Sequence, residues 1–166
     1  MLAAIAALAL TAGPEDFSTG PVIQGYGPAA QVTGMTAIAP DVRLRLSFDF
    51  REPGEDGAPI PGLVTAARFL NMHAQAGLGP DRINLALVVH GRAVGALAAA
   101  KSDPDSADAD LLAQLIGAGV RIIVCGQSAV YYDVAADDLP EGVELALSAM
   151  TAHALLQQEG YALNPF

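Results

Sequence analysis

The sequence predicts an α/β protein, a three-layer α/β/α arrangement around a mainly parallel sheet. Three observations carry that expectation. Leu85 to Val89 and Val120 to Val124 are apolar without interruption, as strands covered on both faces are. Val42 to Phe50, "VRLRLSFDF", alternates apolar with polar residues, the period of a strand with one apolar face. Between these runs lie stretches whose apolar residues recur every three or four positions, which is the helical period. Strand and helix therefore alternate along the chain, and parallel strands need such crossovers.

The chain divides into three parts. Residues 1–12, "MLAAIAALALTA", are nearly all small or apolar. Leu2 to Leu10 has the length of the apolar core of a secretory leader, and Ala7-Leu8-Ala9 resembles a cleavage site. No Lys or Arg precedes the run, so the positive start of a leader is missing. The run is a leader or leader remnant, or else a short helix of the folded domain. A leader implies a periplasmic or secreted protein; otherwise the cytoplasm is expected. Residues 13–41 form a Gly/Pro-rich arm, in which Val22-Ile23 and Val32 are candidates for very short strands. Residues 42–166 form the α/β domain.

In that domain the alternation from Val42 turns Val42, Leu44, Leu46, Phe48 and Phe50 one way. Arg43, Arg45, Ser47 and Asp49 then form a face that reads as solvated. Arg51 to Gly62 is a loop with three prolines and three glycines. Leu63, Ala66, Ala67, Leu70 and Ala74 mark the first helix, ended by Gly77 and Gly79-Pro80. Ile83 to Gly91 holds the second strand. "AVGALAAA" starts a short helix broken by "SDPDS", and Asp108 to Ala118 is the next, stopped by Gly119. After the strand Val120 to Val124, Ala129 to Val134 reads as a short helix and Val143 to Leu147 as a fourth strand. Ser148 is a suitable N-cap for a last helix, Ala149 to Glu159, and Gly160 suits the position after its end. The tail "YALNPF" carries no assignment.

Charge narrows the partners. The formal net charge is -10, from 18 acidic and 8 basic residues. A phosphate backbone needs neutralisation by Lys and Arg, so nucleic acid is excluded as a partner. An anionic membrane surface is excluded for the mature chain on the same ground. No run reaches the length of a membrane-spanning helix. A single cysteine, Cys125, rules out an internal disulfide.

The chemistry candidates lie where strands end, because ligand sites of open parallel sheets form beyond the carboxyl ends of the strands. Cys125 closes the third strand and His90-Gly91 the second. Cys125 leads into Gly126-Gln127-Ser128. A helix beginning there would lower the thiol pKa through its free N–H groups. Gln127 and Ser128 are candidate donors to a thiolate or oxyanion. Gly91 and Gly126 allow the backbone to approach a bound group. His90, if protonated, would add a positive partner, with Asp133 or Asp103 to orient its ring. Two readings of Cys125 stay open at this point: a reactive thiol, or a small buried hydrophobe. Cys125, His90 and one of His73 or His153 make a zinc set on paper, but their spacings match no compact metal motif. No dinucleotide fingerprint, P-loop or nucleophile elbow is present.

"LALVVHGRAVGAL", "LIGAGVRIIVCGQSAVYYDV" and "GVELALSAMTAHALLQQEGYALNPF" together resemble the DsrE/DsrF-like family, α/β proteins related to intracellular sulfur carriers. The resemblance covers roughly Val42 to Phe166. It implies a persulfide-bearing cysteine at Cys125 and a histidine at His90 beside it. It also implies a homo-oligomer, exchange of sulfur with a donor or acceptor protein or a small sulfur compound, and no organic cofactor. The alternative is a non-catalytic oligomeric domain that binds a small ligand or a protein and has a structural cysteine.

Overall fold

The computed structural model describes residues 13–55 and 57–164. The leader-like run 1–12 lies outside the described residues.

Five strands form one parallel sheet: β1 Leu44–Phe50, β2 Ile83–Val89, β3 Arg121–Cys125, β4 Val143–Ala146 and β5 Ala162–Asn164, in the order β4-β3-β2-β1-β5. The helices are α1 Pro61–Gln75, α2 Ala93–Ser102, α3 Ala107–Gly117, α4 Gly126–Tyr131 and α5 Ala149–Gln158. The protein is the three-layer α/β/α fold that the alternation of periods predicts.

The two faces of the sheet are covered unequally. Phe48, Leu85, Leu87, Val89, Ile122 and Val124 join the larger core with residues of α1, α2, α3 and α4. Ala86, Val88 and Ile123 meet Ala152 and Leu156 of α5 on the other face. The parity is strict: in β2 and β3 odd and even positions enter different cores, so both strands read as unbroken apolar runs. Leu85, Leu87, Val88 and Ile122 are at most 1% exposed. Full burial of such a side chain stabilises by about 1.5–3 kcal/mol.

Three expectations are corrected, and the unassigned tail gains a place. The polar face of β1 is solvated only at its lower half: Arg43 and Arg45 are exposed, while Ser47 is buried and Asp49 half-buried beneath α5. Val22-Ile23 and Val32 are not strands; in the arm only Ser18 and Ala29 bridge. The helix expected from Ala129 begins at Gly126, directly after Cys125. The tail forms β5, parallel to β1. Its three-residue length is too short for a period to show in the sequence.

One buried amide makes five of the hydrogen bonds that hold the arm to the domain. Asn71 of α1 is fully buried. Its Oδ1 accepts from the Val22 and Ile23 N–H groups at 3.1 and 2.9 Å, and its Nδ2 donates to the Ile23, Tyr26 and Gly27 carbonyls at 3.0, 3.0 and 3.2 Å. An irregular segment has backbone groups with no ladder to join. Asn71 supplies the missing partners and lets Ile23 enter the core fully buried.

No helix among the described residues is long and apolar enough to cross a membrane.

Candidate functional site

Cys125 ends β3 and is at the same time the N-cap residue of α4. Its parity, one beyond Val124, turns it toward the α5 face. Burial pushes the Cys125 thiol up, but the Ser128 hydroxyl and the backbone N–H groups of Ser128, Ala149 and Gln127 near it favour the thiolate and prevail; as the N-cap of α4 the side chain makes no full cap hydrogen bond. The thiol is therefore held below its ordinary value. Two helix starts lie beside the sulfur, that of α4 directly after Cys125 and that of α5 at Ala149. Ser148 fixes the second start as an N-cap, its Oγ accepting from the Thr151 N–H at 3.1 Å.

Glycines at the two turns make this closeness feasible. A Cβ on Gly126 would lie 2.6 Å from the Ala146 carbonyl oxygen, so only a residue without one lets α4 begin against the end of β4. Gly91 has φ +56°, a left-handed conformation that glycine adopts without steric cost. Its N–H donates to Ser128 Oγ at 3.0 Å, so the turn after β2 holds the same hydroxyl that faces the thiol. Gln127 contributes through its backbone; its side-chain Nε2 donates to the Leu147 carbonyl.

Cys125, Gly126, Gln127, Ser128 and Gly91 thus meet in one place. His90 belongs to the same face but is engaged elsewhere. Its Nε2 meets Asp49 Oδ1 at 2.9 Å, and the other carboxylate oxygen, Oδ2, meets His153 Nε2 at 2.8 Å. Burial raises the Asp49 carboxyl, but the hydrogen bonds from His153 and His90 outweigh it and leave it below the usual carboxylate range. With both Nε2 atoms donating, each ring carries its free acceptor at Nδ1 in the neutral form. His153 Nδ1 is buried with no partner.

The ring-orienting carboxylate is therefore Asp49, not Asp133 or Asp103. Asp103 caps the end of α2, and Asp133 follows α4 at φ 55°. Asp49 stands on β1, the strand beside His90. Asp49, His153 and the Ala149 N–H stand at this site without the sequence reading having placed them there; His153 entered it only in the zinc set on paper. For Asp49 a signal was present, a lone carboxylate near the end of an alternating strand. For His153 none was, because its partner is 104 residues away. His73 lies apart from this site, with Nδ1 2.7 Å from the Phe69 carbonyl oxygen. Among the described residues no group of three His, Cys, Asp or Glu side chains is placed to hold a metal ion.

The fold is thus a parallel α/β/α sheet with a single cysteine at a strand end, beside the starts of two helices. Residues 57–165 match the model of the DsrE/DsrF-like family, and the chain belongs to that family. A protein of unknown function from Methanobacterium thermoautotrophicum has a similar fold, with a TM-score of 0.53, 24% identity, and coverage of 76% of this chain and 100% of its own. No curated protein matches the chain.

Proposed function

We propose that the chain carries sulfur as a persulfide on Cys125. The observation that carries this reading is the place of Cys125, at the end of β3 and the start of α4, with the Ser128 hydroxyl of the same turn held by the Gly91 N–H at 3.0 Å. The reaction is exchange. The Cys125 thiolate attacks the outer sulfur of a donor persulfide, R–S–SH. A bond forms between Sγ and that sulfur, the donor S–S bond breaks, and its electron pair leaves on the donor thiolate. Nothing is oxidised or reduced overall. The N–H groups near Cys125 serve the persulfide anion that results.

The surface beside the sulfur is apolar. Val130 and Tyr131 on α4 and Leu147 and Met150 at the start of α5 are 71–81% exposed. They stand on the two elements that supply N–H groups to the thiol. Exposed apolar side chains of this size mark protein contact surfaces. The occupants proposed are a second copy of the chain, in a homo-oligomer, and a persulfide-bearing donor or acceptor protein.

One observation favours a second reading. Cys125 is only 5% exposed, as a structural cysteine would be, and a non-catalytic binding domain then follows. Incubation with a small-molecule persulfide donor, followed by mass spectrometry, separates the two. The carrier reading expects one added sulfur, removed by reductant and absent in Cys125→Ser. No adduct on native protein, with alkylation only after unfolding, assigns Cys125 to the core.

A further inference from the structure

On the arm side of the molecule a cavity of about 560 Å³ lies between arm residues 29–38 and α1, far in sequence from Cys125. Its size falls within the range of about 300–1,000 Å³ typical of small-ligand sites. Its wall is apolar: Phe17, Val32, Met35 and Met72 all line it, and all four are large hydrophobics left exposed. The charged and titratable lining is one-sided. Arg68 and His73 face the cavity, and among the described residues no Asp or Glu is part of the lining. Arg68 has no carboxylate partner among the described residues. Its Nε–H donates to the Pro28 carbonyl at 3.1 Å, which fixes the guanidinium against the arm and leaves both terminal nitrogens for an anion. His73 adds its Nε2, since Nδ1 is directed to the Phe69 carbonyl. In a protein of net charge -10, an apolar hollow with a lone cation and no carboxylate is a selective environment.

We propose that this cavity binds an amphipathic monoanion, an aliphatic chain ending in a carboxylate, with the chain against Met35, Met72, Phe17 and Val32 and the carboxylate on Arg68. The proposal stands independently of the chemistry at Cys125. Charge complementarity selects the head group and the apolar wall selects the body.

Calorimetric titration of the full chain with dodecanoate below its micelle concentration tests it, with dodecyltrimethylammonium as the control of opposite charge. The expected result is one dodecanoate per chain and a weaker or absent response to the cation. Arg68→Gln, at an exposed position, weakens dodecanoate binding about tenfold or more. Met72→Glu, also at an exposed position, places a carboxylate in the hollow and abolishes binding. Equal affinity for the two amphiphiles, or unchanged affinity in Arg68→Gln, overturns the proposal. So does an absence of binding. In that event a dimer dissociated by Met72→Glu assigns the hollow to a second copy, and a photo-crosslink from position 72 to residues 1–12 assigns it to the chain's own apolar segment.

Discussion

Asp49 and His153 are joined at 2.8 Å across 104 residues of sequence. The contact ties α5 to β1 at the level where β2 delivers His90 to the same carboxylate at 2.9 Å. One carboxylate thus fixes two imidazoles, one from the end of the central strand β2 and one from the helix whose first N–H, that of Ala149, lies near Cys125. The same helix, α5, thus contributes both to the Asp49 contact and to the surroundings of the thiol.

That coupling has a pH signature. The Asp49 carboxyl is depressed in the folded protein, so its contribution is fully present above the unfolded-state value of about 3.9 and is lost as the pH falls through the folded value. Asn at position 49 keeps one acceptor and loses the other. Urea unfolding of Asp49→Asn should show a deficit of about 1 kcal/mol at pH 7, modest because solvent reaches the carboxylate. The deficit should shrink at pH 3. A gap equal at both values would show that the carboxylate charge contributes nothing.

Ser128→Ala tests the thiol environment directly. The variant removes the hydroxyl that faces Cys125 and the acceptor of the Gly91 N–H. The thiol pKa should rise, because a group that favours the thiolate is lost. The pH profile of alkylation by iodoacetamide reads this as a displacement of the midpoint to higher pH. The wild-type midpoint should lie below that of a free thiol, at about 8.5.

Gly126→Ala should be costly despite its small size. The added Cβ would stand 2.6 Å from the Ala146 carbonyl oxygen, and backbone atoms yield less readily than side-chain tips. A loss of about 1–3 kcal/mol is expected, with altered Cys125 alkylation because α4 must shift. Unchanged thermal unfolding and alkylation would count against the close approach of α4 to β4.

Asn71→Ala should release the arm. Five hydrogen bonds end on this buried amide, and its removal leaves buried backbone groups unpaired. The expected destabilisation is about 2–4 kcal/mol. Limited proteolysis should show new cleavage between residues 20 and 30, with the sheet core still protected. Cleavage that begins in β2 or β3 instead would mean that Asn71 supports the whole domain.

What the sequence by itself determined is the layered fold and the location of the thiol. Binary patterning is local: an unbroken apolar strand such as Leu85–Val89 must be covered on both faces, and a helical stripe such as Leu63–Leu70 must pack on something. Cys125 followed by Gly126 marks the end of a strand in the same local way. Only the tertiary structure decided what surrounds that sulfur. The Ala149 N–H reaches Cys125 because Gly126 lets α4 begin against β4 and because Ser148 starts α5 beside it. Asp49 became the partner of His90 because β1 and β2 lie side by side in parallel register, and the partner of His153 because α5 alone covers that face. Strand order, and with it every contact between residues far apart in the chain, depends on how whole faces are paired and covered, and no short stretch of residues encodes that.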